Sequence, residues 1–258
     1  MCKIIAFHGA DHKAGVTMIA QAIAEKIATE QGVRVLFLVL NGRVNNQYFG
    51  SEIKSVDDFK LQLESKLLNP KDFARDCRYK GNLHVLGGPN NEIECRYYFP
   101  DEIIYLVETV KEEFDLILMD TGESLDCGLA IGGLQEAEKR YLVMTQEEVG
   151  IARYERQRSL YERMAISFDE IIINKFIEHD SYTKGYMAER IGVGKDKIFC
   201  VDMSNKGREA ERERKSLFEL KSESFLKGLE PIAKTILTCC GIAGAKNQRK
   251  NRIWKSFI

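Results

Sequence analysis

The segment that decides the fold is residues 3–24, which read KIIAFHGADHKAGVTMIAQAIA. The pattern indicates an apolar strand, a loop that contains Gly9 and Gly15, and a helix whose apolar residues recur at helical spacing. In such an arrangement the N–H groups of the loop and of the first helical turn point at an anion. The segment therefore predicts a phosphate-binding loop between the first strand and the first helix.

The loop lacks one part of the usual chemistry. Phosphate-binding loops of the P-loop type end in Gly-Lys-Ser/Thr, whereas this one ends in Gly15, Val16 and Thr17. Val16 cannot supply the cation that a lysine brings to phosphate. The Thr17 hydroxyl could bind Mg²⁺, or Thr17 could serve only as the N-cap of the helix. The candidate nucleotide-binding residues of this segment are Gly9, Ala14, Gly15, Val16 and Thr17.

Length and composition narrow the class of protein. The chain has 258 residues, 44% of them hydrophobic, which is enough for one large α/β domain. A net charge of −1 gives no overall attraction to nucleic acid, so nucleic acid is not indicated as a partner. Seven scattered cysteines without a Cys-x-x-Cys pair are typical of reduced thiols in the cytoplasm. We expect neither a membrane-spanning segment nor a signal peptide, since long apolar runs are missing.

Short apolar runs alternate with helical patterns along the chain. Strands are predicted at 3–7, 34–40, 83–86, 116–120, 141–144, 170–173 and 198–201. This alternation predicts an α/β fold with a doubly wound, mostly parallel central sheet, whose ligands bind at the carboxyl ends of the strands. We expect one domain over residues 1–240 and an appended tail over 241–258.

Two of these predicted strands end in a polar residue that could serve a nucleotide. Asp120 ends an apolar strand and is followed by a glycine turn, a typical place for a carboxylate that orders a metal. Thr17 and Asp120 are therefore the candidate Mg²⁺ ligands, although an Asp here could simply cap the turn. Asn174 follows the strand at 170–173 and could read a base edge, or it could be an ordinary turn residue.

In this order, the features resemble the ParA/MinD-like family of P-loop NTPases, of the SIMIBI class. The similarity extends to about Leu237, and further pieces that carry it are residues 32–41, 82–88, 141–147 and 206–220, the last resembling a late amphipathic helix. The resemblance implies a cytoplasmic protein that binds ATP or ADP with Mg²⁺, forms a homodimer and has a protein partner.

The departures from the family pattern concern hydrolysis. The family loop is Lys-Gly-Gly-x-Gly-Lys-Thr, and Asp11 and Val16 stand in place of its two lysines. Val39 and Asn41 lie where the family has aspartates at the end of its second strand. The resemblance therefore implies a degenerate member that hydrolyses ATP weakly or not at all. Such a member would act as a scaffold or localisation factor, similar to TadZ, that recruits a pilus or partition apparatus. The alternative is an active ATP hydrolase with an unusual loop.

Two cysteines leave a further alternative open. Nitrogenase-iron-protein-like members of the superfamily share a [4Fe–4S] cluster across a dimer, and the positions of Cys95 and Cys127 are similar to those of their ligands. The other interpretation is that both are ordinary buried or surface thiols.

The end of the chain has its own composition. Residues 246–258 contain five basic side chains, no acidic one and the only tryptophan, Trp254. On a helix the apolar residues of this tail would share one side, which predicts a reversible contact with an anionic membrane and hence a peripheral location at its inner face. A disordered basic tail, or one packed on the domain itself, remains the alternative.

Overall fold

A nine-stranded sheet forms the centre of the described part of the chain. The structure is a computed structural model and describes residues 3–44, 48–49, 53–91 and 93–242. The strands are β1 Ile4–Gly9, β2 Val35–Val39, β3 Lys54–Ser55, β4 Arg78–Lys80, β5 Leu83–Gly87, β6 Leu116–Asp120, β7 Lys139–Met144, β8 Glu170–Phe176 and β9 Ile198–Asp202. Their order is β3-β5-β2-β6-β1-β7-β8-β9, all parallel, and β4 pairs antiparallel with β5.

Helices cover both faces of this sheet. They are α1 Val16–Gln31, α2 Lys60–Glu64, α3 Pro70–Asp76, α4 Pro100–Val110, α5 Gly128–Glu136, α6 Glu148–Arg163, α7 Lys184–Ile191, α8 Gly207–Glu213 and α9 Glu223–Cys239. Ile5 and Phe7 of β1 pack in one core with residues of α1 and α9, while Ile4 and Ala6 pack in the other with residues of α4 and α5. The predicted doubly wound, mostly parallel α/β fold is therefore confirmed.

All seven predicted strands are present, with ends that shift by a few residues. β1 is fully buried and lies between β6 and β7, at the centre of the sheet. The sequence did not predict β3 and β4. These strands have only two and three residues, which include Lys54, Arg78 and Lys80, and they form no apolar run. In the described part of the chain, no helix is long and apolar enough to cross a membrane.

The helix expected across residues 206–220 is shorter in the structure. α8 ends at Glu213, and Arg214 adopts a left-handed conformation with φ of 51°. Beyond it the Ser216 hydroxyl is buried and donates a hydrogen bond to Glu25 of α1. This contact with a distant helix explains why the helical pattern is interrupted there. The boundary between residues 240 and 241 stays a prediction, and the tail at 246–258 lies outside the described residues.

Helix α5 closely approaches α4 and the residues just before it, because two glycines of α5 face them. A Cβ on Gly128 would overlap the Tyr98 carbonyl, and one on Gly132 would lie 2.5 Å from the Pro100 oxygen and 2.9 Å from the Ile103 Cβ. α4 leads into β6, and α5 leads away from its end, where the candidate site lies. The two helices pack with β6 residues in one core.

Gly132→Ala tests this packing. We expect the variant to lower the free energy of unfolding by about 1–2 kcal/mol, because overpacking costs more than the helix propensity gained from alanine. Urea denaturation measures the change. Gly207→Ala is the matched control, since a Cβ there meets no atom within 4 Å, and it should change stability little. Equal stability of the two variants would contradict the account.

Candidate functional site

The loop between β1 and α1 lies over the carboxyl edge of the sheet and is fixed to the two neighbouring strand ends. The Gly9 N–H donates to the Gly122 carbonyl at 2.6 Å, and the Ala10 N–H donates to the Val143 carbonyl at 2.8 Å. A Cβ on Gly9 would lie 2.9 Å from the Val16 Cγ2, so only glycine allows this close approach. The predicted location of the loop is thus the observed one.

Two residues of the loop have left-handed backbone conformations. Lys13 has φ of 60° and Gly15 has φ of 90°, and Gly15 is the N-cap of α1 without a side-chain capping bond. Alternating backbone handedness of this kind turns N–H groups toward one side, as in anion-binding nests. The interpretation of Thr17 as the N-cap is wrong, because Thr17 lies within the first turn of α1.

Thr17 and Asp120, the two predicted metal ligands, are in direct contact. The Thr17 hydroxyl donates to the Asp120 Oδ2 at 2.5 Å, the Asn41 amide donates to the same oxygen at 3.0 Å, and the Gly122 N–H donates to the Oδ1 at 3.0 Å. Complete burial raises the pKa of Asp120, while these three hydrogen bonds act in the opposite direction. A hydroxyl and a carboxylate are hard oxygen ligands, which suit Mg²⁺.

Asn174 and Lys175, at the end of β8, hold the loop from the other side. The Asn174 amide donates to the Ala14 carbonyl at 2.8 Å, and a Cβ on Gly15 would collide with that amide. The Lys175 Nζ donates to the Lys13 carbonyl at 2.9 Å. Asn174 thus lies against the loop, and a contact between this side chain and a base stays a prediction.

Asp11, which stands in place of a family lysine, has a cationic partner. The Arg153 guanidinium of α6 lies 2.8 Å from the Asp11 Oδ1 and donates to the Glu123 carbonyl at 3.2 Å. Although burial alone would raise the pKa of Asp11, the hydrogen bond from Arg153 lowers it overall. The carboxylate therefore remains charged but paired, which reduces its opposition to a phosphate in the loop.

The Glu123 carboxylate lies at the start of the loop and contacts two basic side chains. Its Oε1 is 3.3 Å from the His12 Nδ1 and forms an ion pair with the Arg43 guanidinium. Arg43 belongs to the segment after β2, and Glu123 to the segment after β6. These contacts join three segments that are far apart in the sequence.

A cavity of about 880 Å³ opens beside the loop. Its lining includes loop residues 11–18, Asn41, Arg43, Glu123, Asn174, Lys175, residues 202–205, Arg208, Glu211 and Leu217. The volume lies within the range of about 300–1,000 Å³ that is common for small-molecule sites. Backbone donors and cations are thus available at one end, next to the oxygen pair Thr17 and Asp120.

A buried acid, Glu25, connects α1 to two walls of the cavity. It accepts a hydrogen bond from Ser216, next to Leu217, and another from Gln21 at 2.8 Å. Gln21 also donates to the Tyr48 carbonyl at 2.9 Å, and Tyr48 and Leu217 both line the cavity. Burial raises the pKa of Glu25 to about 7, although the two hydrogen bonds act against this shift.

Comparison with known proteins identifies the fold. No family model matches the sequence, and no curated protein sequence matches it. Among solved structures, a ParA family ATPase from Chlorobium tepidum TLS superposes with a TM-score of 0.77 and 18% identity, over 90% of this chain and 97% of the other. The chain has the ParA/MinD fold.

Two further ParA/MinD-fold structures agree. The septum site-determining protein MinD from Pyrococcus horikoshii OT3, complexed with Mg-ADP, has a TM-score of 0.73 and 15% identity over 94% of this chain and 98% of the other. An ATP complex of an McdA variant from Cyanothece has a TM-score of 0.72 and 17% identity over 92% of this chain and 96% of the other. The fold implied by the sequence resemblance is therefore confirmed.

The two cysteines considered for a cluster lie together but do not form an open ligand pair. The buried Cys127 thiol donates to the Cys95 carbonyl at 3.7 Å, and burial raises the pKa of Cys127 to about 11. Cluster ligation needs thiolates, which this environment disfavours. Within the described residues, no group of three or more His, Cys, Asp or Glu side chains could hold a metal ion. The [4Fe–4S] interpretation gains no support from this arrangement.

The variant Glu25→Gln tests the contacts by which Glu25 connects α1 to the cavity walls. The quantity measured is the pH dependence of the free energy of unfolding. The pKa of Glu25 rises on folding from an ordinary value of 4.5 to about 7. The stability that the protonated side chain contributes is therefore fully present below pH 4.5 and is lost as the pH rises through 7. A neutral glutamine avoids this loss. We expect the free energy of unfolding of the variant, relative to that of the wild type, to rise by up to ~3 kcal/mol between pH 4 and pH 8.

Denaturation curves at a series of pH values measure the difference. Glu162→Gln, which removes an exposed carboxyl on α6, is the control and should give a difference that is nearly independent of pH. A flat difference for Glu25→Gln as well would show that the acid is not buried in solution.

Proposed function

We propose that this protein is a nucleotide-binding scaffold or localisation factor with weak or no ATP hydrolysis, which recruits a cellular machine such as a pilus or partition apparatus. The observation that carries the proposal is the contact between the Thr17 hydroxyl and the Asp120 carboxylate beside the loop, in a chain that has Val16 where a lysine is expected. This contact supports metal and phosphate binding, whereas Val16 leaves the loop without the usual catalytic cation.

The residues present fit a magnesium nucleotide. Thr17 and Asp120 would hold the metal, whose positive charge would offset the negative charge of the phosphates. The loop N–H groups and the start of α1 would bind the phosphate chain. The sugar and base would use the rest of the cavity, where Asn174 and residues 202–205 offer polar groups. The solved structures of MinD with Mg-ADP and McdA with ATP support this choice of ligand.

Weak hydrolysis follows from the charges around the loop. Phosphoryl transfer depends on cations and on a carboxylate that orients water. Val16 brings no charge, and it is buried against the loop. Asn41 occupies the position expected for an acid and donates its amide to Asp120 instead. Each change removes electrostatic stabilisation of the transition state while leaving the oxygen pair in place.

The cellular part of the proposal extends the sequence resemblance. We infer a cytoplasmic homodimer that binds a protein partner and contacts the inner face of an anionic membrane through residues 246–258. The composition of that tail and the resemblance to ParA/MinD-like proteins support this inference. Nucleic acid is not needed to account for any feature of the chain.

Thr17→Ala tests the proposed magnesium-nucleotide site. The wild type should bind ATP with Mg²⁺ more tightly than ATP with EDTA, and the alanine variant should lose most of this difference. We expect a loss of about tenfold in affinity for Mg-ATP, since one charge-assisted contact is removed. Isothermal titration calorimetry measures the affinities.

Two controls separate the hydroxyl from general damage. Thr17→Ser keeps the hydroxyl and should retain the Mg²⁺ dependence. Thr235→Ala removes a hydroxyl of α9 that donates to the Pro231 carbonyl of the same helix, and it should bind as the wild type does. A wild-type protein that binds neither ATP nor ADP at millimolar concentration would refute the proposed function.

A further inference from the structure

We propose that Arg43 and His12 are phosphate-binding side chains, and that Glu123 holds them as an internal anion until the phosphates of a nucleotide displace its carboxylate. The inference rests on the proposed function and assigns the side-chain donors that act in the absence of a loop lysine. The loop motif predicts no phosphate-binding role for Arg43, His12 or Glu123.

The first support is the common environment of the three side chains. All three line the cavity beside the loop, and both basic groups converge on a single atom, the Glu123 Oε1. His12 belongs to the loop itself, and Arg43 comes from the segment after β2. The cluster therefore presents two nitrogen donors to one anionic oxygen at the entrance to the loop.

The second support is the position of the carboxylate. A Cβ on Gly9 would lie 3.1 Å from the Glu123 Cβ, so the glutamate side chain begins directly over the last residue of β1, where the loop starts. The Arg153 guanidinium holds the Glu123 carbonyl at 3.2 Å, which fixes the backbone there. An anionic ligand in the loop and the Glu123 carboxylate would thus compete for the same donors.

The third support is the balance of exposure. The Glu123 side chain is 13% exposed, whereas those of Arg43 and His12 are 48% and 49% exposed. The two basic side chains can therefore turn toward a ligand without leaving a buried site. The Glu123 carboxylate is mostly buried, so the loss of these partners costs free energy that the higher charge of the phosphate chain must offset.

The fourth support is chemical. A guanidinium donates two parallel hydrogen bonds to a phosphate as readily as to a carboxylate, and the phosphate chain carries more charge. Val16 leaves that charge without the usual lysine partner. Arg43 can supply a cation from outside the motif, once Glu123 has released it.

The test compares Mg-ATP binding by the wild type, Glu123→Gln, Arg43→Gln and the double variant. We expect Glu123→Gln to bind about tenfold more tightly, because the competing carboxylate is neutralised, and Arg43→Gln to bind about tenfold more weakly. In the double variant the gain from Glu123→Gln should largely disappear, since the two residues act through one contact. Tripolyphosphate, which has no base, should give the same ratios of affinity between each variant and the wild type.

Glu148→Gln is the matched control, because it also removes a carboxylate from an ion pair with an arginine, Arg190, but Glu148 does not line the cavity. It should change the affinity less than twofold, whereas a gain as large as that of Glu123→Gln would show a general field effect and overturn the inference. Melting temperatures confirm that the variants fold, and the half-exposed Arg43 provides an independent readout should Glu123→Gln unfold.

The outcomes separate this inference from the proposed function. If the wild type binds Mg-ATP and Glu123→Gln binds equally or more weakly, the inference fails while the proposed function stands. If neither the wild type nor Glu123→Gln binds nucleotide or tripolyphosphate, both fail. Binding by Glu123→Gln alone would also overturn both, since it would show that the phosphates cannot displace Glu123 in the wild type.

Discussion

The hydrogen bond between the Thr17 hydroxyl and the Asp120 carboxylate is the contact on which the account of this site depends. It exists because β1 is buried between β6 and β7, which brings the first turn of α1 over the end of β6. The bonds of Gly9 and Ala10 to the neighbouring strand ends then fix the loop. The fold thus brings an oxygen pair and the N-terminal turn of α1 to one edge of the sheet.

Charges around the loop are balanced within the chain. Asp11 pairs with Arg153, Glu123 pairs with Arg43 and His12, and the Lys175 ammonium donates to a loop carbonyl. A loop with a lysine would meet phosphate through that residue, whereas this loop offers cations that already have internal partners. Under the proposed function, nucleotide binding would therefore be an exchange of partners, and its strength would depend on how readily the internal carboxylates release these cations.

The sequence predicted the central strands and the oxygen pair because their signals are local. Continuous apolar runs mark β1 and β6, and Asp120 stands directly before a glycine turn. The short polar strands β3 and β4 had no such signal. Arg153 and Arg43 could not be assigned because their partners lie 142 and 80 residues away along the chain. The same reason explains why the helix expected across 206–220 is shorter in the structure, since the contact between Ser216 and Glu25 spans 191 residues.

The central claim is that the chain binds nucleotide without the catalytic power of an ordinary enzyme. The most direct measurement follows bound nucleotide and released inorganic phosphate in the same sample of full-length protein with saturating Mg-ATP. The account predicts saturable binding together with phosphate release well below about 1 per second, the low end of common turnover rates. Turnover within the common range of about 1–10³ per second would contradict it, as would phosphate release without saturable binding.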